Sequence, residues 1–224
     1  MYDIIFISYN EPNADANFAK LTSRFPLAKR VTGVKGIHQA HIAAAKKSFT
    51  RMFWVVDGDA EVLDTFNFDY DPEDLEMVYV WRSCNPINGL EYGYGGVKLL
   101  PKSMTLKINV NSVDMTMSIS DKFKVMEDVS NNTAFNTDAF STWRSAFREC
   151  CKLAVINNEE SLARLHVWGQ LNKHAPYGAY AYMGAIQGNA YGKKNASNPE
   201  ALAKINDFTW LEDCWLAGKS QLSL

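Results

Sequence analysis

A chain of 224 residues with 47% hydrophobic residues and a net charge of −2 is long enough to bury a substantial core, and no break in composition argues for a second domain. No apolar run reaches 18 residues and the chain opens on a strand-like YDIIFIS segment, so the expectation is a soluble cytoplasmic protein with no membrane partner. Four cysteines, Cys84, Cys150, Cys151 and Cys214, lack both CxxC spacing and the density of a secreted scaffold, which predicts reduced, structural thiols.

In chain order, Asp3 to Tyr9 is the first predicted strand, broken by the polar Asn10-Glu11-Pro12-Asn13. Asp15 is placed to cap a helix through Phe18, Leu21 and Phe25, which Pro26 helps to end. A second strand follows near Lys29 to Val34. Lys35-Gly36-Ile37 then leads into a helix from His38 to Ser48, whose Ala40, Ala43, Ala44 and Ala45 permit close packing on a sheet. Met52-Phe53-Trp54-Val55-Val56 is apolar without alternation, as a strand covered on both faces must be. It ends in Asp57-Gly58-Asp59, two carboxylates where open α/β sheets bind ligands, with a glycine that lets backbone approach closely. Hard carboxylate oxygens suit Mg²⁺ or Mn²⁺, although a turn with a capping aspartate explains the pair equally well.

Charge is unevenly spread around this run. From Ala16 to Val56 there are eight basic residues and no acid; from Met52 to Trp81 there are nine acids and no Lys or Arg. Solvated faces account for most of these charges, and a cation beside the acids with a polyanion beside the bases is the sharper reading.

Beyond Asp64, Met77 to Trp81 is a predicted strand, followed by a turn-rich loop from Arg82 to Gly89. Tyr92-Gly93-Tyr94-Gly95-Gly96-Val97 suits a loop lying against a flat ligand, or an ordinary glycine-rich connection. Asn136, Thr137 or Asp138 can cap a helix with Phe140, Trp143, Phe147, Cys150 and Ala154 on one stripe, and Arg144, Arg148 and Lys152 on a neighbouring face that is either solvated or binds phosphate. The stretch from Pro176 to Lys194 reads as a mobile lid or a packed helix, and Ile205 to Leu216 as a terminal amphipathic helix.

The segments FISYNEPNAD at 6–15, KGIHQAHIAAAKKS at 35–48 and MFWVVDGDAEV at 52–62 resemble the nucleotide-sugar-binding half of GT-A glycosyltransferases. Most of the length is also similar to a family of short proteins encoded by tailed bacteriophages, through VWRSCNPIN at 80–88, YGYGGVKL at 92–99 and the stretch from 134 to 150. The resemblance implies an α/β fold: a single GT-A-like, Rossmann-related domain over 1–224 with a mostly parallel central sheet flanked by helices. Residues 1–65 would bind the nucleotide-sugar, such as a UDP-sugar, and 66–224 would hold the acceptor half and C-terminal helices. Asp57 and Asp59 would hold Mn²⁺ or Mg²⁺ beside Gly58, with His166 or His174 as a third ligand. Ser8, Tyr9, Asn10 and Glu11 would border the nucleoside, and Lys35, Gly36, His38 and Gln39 the ribose or phosphates. Trp81, Arg82, Tyr94, Gly95, Gly96, Arg144 and Arg148 are acceptor-side candidates, and Asp138 is the candidate base.

The activity this implies is glycosyl transfer to an acceptor hydroxyl in the host cytoplasm during infection. By analogy the acceptor is 5-hydroxymethylcytosine in modified double-stranded phage DNA, receiving arabinose or glucose. A nucleotidyltransferase is the nearest rival, but SYNEPNAD lacks the Gly-rich basic loop it usually needs. A non-catalytic nucleic-acid-binding or virion-associated module is the third reading, against which the acidic balance stands.

Overall fold

The computed structural model describes residues 1–93, 95–108, 115–133 and 136–220. It divides into two compact units, Met1–Asn85 with Glu91–Ala134, and Pro86–Leu90 with Phe135–Leu224. The first unit is α/β and the second is helical.

In the α/β unit, β1 (Asp3–Ser8), α1 (Ala14–Arg24), β2 (Lys29–Thr32), α2 (Ile37–Lys47) and β3 (Met52–Asp57) follow the predicted alternation. Short connections fold them into consecutive parallel βαβ units. β1 pairs in parallel with β2 on one side and β3 on the other. Alternate residues of these strands feed two cores: Ile4, Phe6, Trp54 and Val56 pack with Leu21 of α1, while Ile5, Ile7, Phe53 and Val55 pack with Ala44 and Ala45 of α2. The two helices therefore cover opposite faces, which explains why β3 shows no polar alternation. Asn13, not Asp15, stands at the cap position of α1, and Asp15 instead accepts from Arg30 at 2.6 Å.

The sheet as a whole is mixed rather than mostly parallel. Its order is β2-β1-β3-β7-β5-β8-β4, with β4 at Ala60–Val62, β5 at Val78–Cys84, β7 at Val97–Pro101 and β8 at Phe123–Thr133, while β6 (Glu91–Tyr92) pairs with β5. β5 and β8 are parallel, but β7 runs antiparallel to both β3 and β5. Among the described residues no helix lies between β5 and β7 to carry a crossover, and the chain turns back antiparallel. Arg82, Ser83 and Cys84, predicted as loop, continue β5 because they pair with β8.

In the helical unit, α4 (Ala139–Ile156) and α6 (Gly178–Asn195) pack closely, joined by α5 (Glu159–Trp168), α7 (Pro199–Ala203) and α8 (Phe208–Ser220); the short α3 (Lys102–Thr105) belongs to the α/β unit. The stretch from Pro176 to Lys194 is thus largely helix, and its glycines set the approach. A Cβ at Gly184 would lie 2.2 Å from the Trp143 carbonyl oxygen, one at Gly188 2.1 Å from that of Phe147 and one at Gly192 2.5 Å from that of Cys151. The repeat every four residues lets α6 lie backbone-on-backbone against α4. Among the described residues no helix is long and apolar enough to cross a membrane.

An exposed helical glycine normally gains up to about 1 kcal/mol on replacement by alanine. At Gly188 the clash reverses the sign. Gly188→Ala is expected to lose about 2 kcal/mol in a urea titration, and an unchanged or raised midpoint would refute the close-packing account.

Candidate functional site

The parallel strands β1, β2 and β3 all end at the same edge, and the chain leaves β1 for β2 on one side and later returns to β3 on the other. β1 and β3 therefore flank a topological switch point, where crevices form beyond the carboxyl ends of strands. Ser8, Tyr9, Asn10 and Glu11 follow β1 here, and Asp57, Gly58 and Asp59 follow β3.

Gly58 lies so close to the β1 end that a Cβ would sit 2.7 Å from Glu11 Oε2 and 3.0 Å from Ser8 Cβ. Its carbonyl accepts from Asn17 Nδ2 of α1 at 3.0 Å, and Glu11 Oε2 accepts from the Tyr9 N–H at 2.7 Å. These bonds bring Glu11 against the Asp57-Gly58-Asp59 turn. Burial raises Asp57 above its ordinary value, Glu11 adds to the rise, and the charge and hydrogen bonds of Lys98 offset part of it. Burial together with the charges of Asp57 and Glu11 pushes Asp59 up to about 7. Three carboxylates thus share one corner.

The balancing charge comes from Lys98 of β7. Its Nζ donates to Asp57 Oδ1 at 3.0 Å and Oδ2 at 2.8 Å, and also to the Gly95 carbonyl. The side chain is 4% exposed. Lys98 lies opposite Val55 and Val80, both in the α2-side core, so ammonium and carboxylate meet on that face. The Asp57 N–H donates to Gly96 O at 2.9 Å, which ties β3 to the glycine pair. A Cβ on Gly96 would lie 2.6 Å from Asn131 Nδ2, and buried Asn131 accepts through Oδ1 from Ser83 at 2.9 Å and Ser130 at 2.8 Å. Gly95 and Gly96, predicted on the acceptor side, are therefore the backbone of the acid–lysine pair.

The loop from Gly33 to Gly36 completes the crevice. Gly33 N donates to Ser8 O at 3.0 Å, and Gly36, at φ 95°, precedes α2 without a side-chain cap on the helix. His38 in the first turn is 8% exposed with Nε2 unpartnered, and His41 Nδ1 donates to Ile37 O at 2.8 Å. Burial and the Lys98 charge depress His41 to about 3, so it is neutral. Lys35 and Gln39 are exposed at this helix start, and Tyr9 is 50% exposed beyond β1.

Other candidates have structural partners. Trp81 is a core residue, 2% exposed with its ring tilted 4.6 Å from that of Trp54, because β5 turns it into the α1-side core. Arg82 donates to the Glu127 and Glu91 carbonyls at 3.3 and 3.1 Å. Tyr94 lies outside the described residues. In the helical unit Asp138 caps α4, accepting from Ser141 N at 2.8 Å and Ser141 Oγ at 2.7 Å. Partial burial works against its ionisation, but the hydrogen bonds from Ser141, Thr137 and the Phe140 backbone outweigh it and hold the carboxyl below its usual range. A capped, acidified carboxylate is a poor base. Arg144 lies 5.0 Å over the Phe208 ring, and Arg148 donates to Asn206 at 2.8 Å. His166 is exposed on α5 and His174 on the loop before α6. Among the described residues no three His, Cys, Asp or Glu side chains are arranged to hold a metal ion.

Lys98 and Asn131 carry the site without having been singled out from the sequence. The available signal was one lysine inside the apolar strand Val97–Pro101, since a charge in a buried strand requires a partner. Scans of the chain against protein-family models and against curated proteins find no match.

Two outcomes follow. Lys98→Met, by leaving Asp57 without its counter-charge, is expected to cost about 3 kcal/mol, much of it recovered in Lys98→Met/Asp57→Asn; equal losses in single and double variants would exclude the pairing. For Asp59 the folded-state value of about 7 lies above the ordinary 3.8, so between those values the unfolded chain binds fewer protons and stability falls as pH rises. Asp59→Asn removes that fall: in metal-free buffer it should be more stable than the parent at pH 8 and no longer so below pH 4, as read from denaturant midpoints.

Proposed function

We propose that the chain is a metal-dependent glycosyltransferase of GT-A-like architecture that takes its sugar from a nucleotide-sugar such as a UDP-sugar. The observation that carries the reading is the convergence of Glu11, Asp57 and Asp59 at the switch point between β1 and β3. Crowded carboxylates, one of them lifted to about 7 by burial and then by the charges of its neighbours, form a site short of positive charge even with Lys98 present. Hard carboxylate oxygens suit Mg²⁺ or Mn²⁺, and Asp57 and Asp59 would supply two ligands, with no third His, Cys, Asp or Glu among the described residues in a metal-holding arrangement. The chemistry such an ion supplies when bound is neutralisation of the charge that builds on a departing diphosphate.

The protein's own groups account for the remaining requirements. The α2 N-terminus, uncapped by a side chain and preceded by Gly36 and Lys35, offers backbone N–H groups to a phosphate. Tyr9 offers an exposed ring for a nucleobase. Lys98 donates to both Asp57 oxygens, which fixes the carboxyl's orientation and offsets part of the rise that burial causes. A base for the acceptor hydroxyl is not assigned to Asp138, whose lone pairs are committed to capping.

The proposed acceptor is a hydroxyl, with 5-hydroxymethylcytosine in phage DNA as its most specific form. That choice rests on the bacteriophage resemblance. The intramolecular engagement of Arg82, Arg144 and Arg148 narrows the side chains available to a DNA backbone.

The deciding experiment is mass spectrometry of the protein with a panel of UDP-sugars and Mn²⁺, with and without DNA containing 5-hydroxymethylcytosine. Release of UDP or transfer of sugar is expected, reduced at least about 100-fold in Asp57→Asn and in Asp59→Asn with the fold retained. Full activity in those variants would overturn the site, and attachment of the nucleotide rather than the sugar would reassign the reaction.

A further inference from the structure

The strand β8 is paired along one border and open along most of the other. It lies beside β5 from Phe123 to Asn132, whereas on its far side β4 covers only Asn131 to Thr133. Among the described residues no other strand pairs with it. Exposure follows the pairing: Phe123, Lys124, Val125, Glu127 and Asp128 are exposed, while Ser130 and Asn131 are buried. The Val78 N–H donates to Lys122 O at 2.9 Å, so in this parallel ladder Lys122, Lys124 and Met126 turn their backbone groups to β5, and Phe123 and Val125 turn theirs outward. Their side chains, 40% and 48% exposed, leave an apolar strip beside that open backbone. From this border we infer that the chain forms a two-fold dimer, in which β8 pairs antiparallel with β8 of a second copy about Val125 and the sheet runs on through both.

The order of charges along the strand selects a second copy and sets its direction. Lys124 is the one base in the open run, and Glu127 and Asp128 follow it. Lys122, just before, is committed to Asp74 and Glu76 at 3.0 and 3.3 Å. Parallel addition of a copy would set Lys124 against Lys124, and so would an antiparallel ladder centred on that residue. Centred on Val125, the ladder places Val125 opposite Val125, Phe123 opposite Glu127 and Lys124 opposite Met126. Lys124 and Asp128 occupy the same, α1-side face of the sheet, since Lys124 pairs with Tyr79, Met126 with Trp81, and Asp128 lies beside Trp81 and Tyr70. The right-handed twist of an antiparallel pair then brings Lys124 toward Asp128 of the second copy, twice over by symmetry.

The extent of the ladder is limited by a bulge. The register runs Trp81↔Met126 and then Arg82↔Val129, and the Glu127 carbonyl accepts from Arg82 at 3.3 Å, so the run available to a partner is Phe123 to Glu127. A contact of that size sits at the small end of specific interfaces, which sets a dissociation constant of about 50 µM. The opposite border of the sheet does not offer the same seat: β2 has four residues, and its Lys29 and Arg30 are tethered to Asp3 and Asp15.

Sedimentation equilibrium of the full chain across about 5 to 500 µM tests the dimer, with hydrogen exchange of the Val125 amide read at both ends of the range. The mass is expected to rise from 25.2 kDa toward twice that value, and the Val125 amide to exchange more slowly in the concentrated sample. Val125→Pro removes an N–H that points away from β5, so the fold is kept, and association should weaken at least about tenfold through the two hydrogen bonds lost across the axis. Lys124→Glu and Asp128→Lys should each weaken it about fivefold, and the two together should restore it to within about twofold of the parent. A parent that stays monomeric throughout would overturn the dimer and leave the border to an extended segment of a different protein. A dimer indifferent to Val125→Pro, or one that the combined charge swap fails to restore, would overturn β8 as its seat.

Discussion

The contact on which the candidate site depends is the ion pair between Lys98 and Asp57. A carboxylate at the end of a strand buried on both faces is costly unless its charge is matched, and matching it from inside the sheet requires a second buried charge on the neighbouring strand. β7 supplies it because Lys98 lies opposite Val55, two residues before Asp57 and on the same face. Everything around the pair accommodates this. Gly95 offers its carbonyl to the ammonium, Gly96 accepts the Asp57 N–H and leaves the space where a Cβ would strike the Asn131 amide, and Gly58 leaves room for Glu11. β7, one of the antiparallel strands that make the sheet mixed, is thus the strand that makes the acid corner tolerable.

With Asp57 matched internally, the excess charge falls on Asp59 and Glu11. This splits two adjacent carboxylates into different roles by environment alone: Asp57 is fixed and paired, while Asp59 titrates near neutrality. Groups whose surroundings push their ionisation in this way gather at functional sites. The same sheet keeps its other face for aromatic rings, so two chemically distinct surfaces are carried by alternate residues of β3.

Much of the first 60 residues was legible in the sequence because β1, α1, β2, α2 and β3 follow one another through short connections, each with its own periodicity. The Asp57-Gly58-Asp59 turn stood out because carboxylates interrupted an apolar run. Less visible was anything set by pairing between distant segments. β8 begins Phe123-Lys124-Val125 with exposed residues and gains its identity only from β5. In the sequence Lys98 is one basic residue in a short apolar run, and only the placing of β7 between β3 and β5 gives it a partner. Trp81 and the arginines Arg144 and Arg148 illustrate the converse: residue types that suit a ligand are equally suited to a core or to an intramolecular contact, and only packing separates the two. Asp138 was recognised as a possible cap from its neighbours, and the cap is what the backbone uses it for.

The two ends of the eight-stranded order bear on how the molecule avoids growing. β2, at one border, has four residues, and Lys29 and Arg30 on it are anchored to Asp3 and Asp15 rather than left to swing away. β4, at the other, has only three. Unpaired N–H and C=O groups on a long flat border recruit strands from other chains into aggregates. The β2 border, short and guarded by tethered positive charge, gives an incoming strand little ladder to extend, whereas β4 covers only the last three residues of the eleven-residue β8.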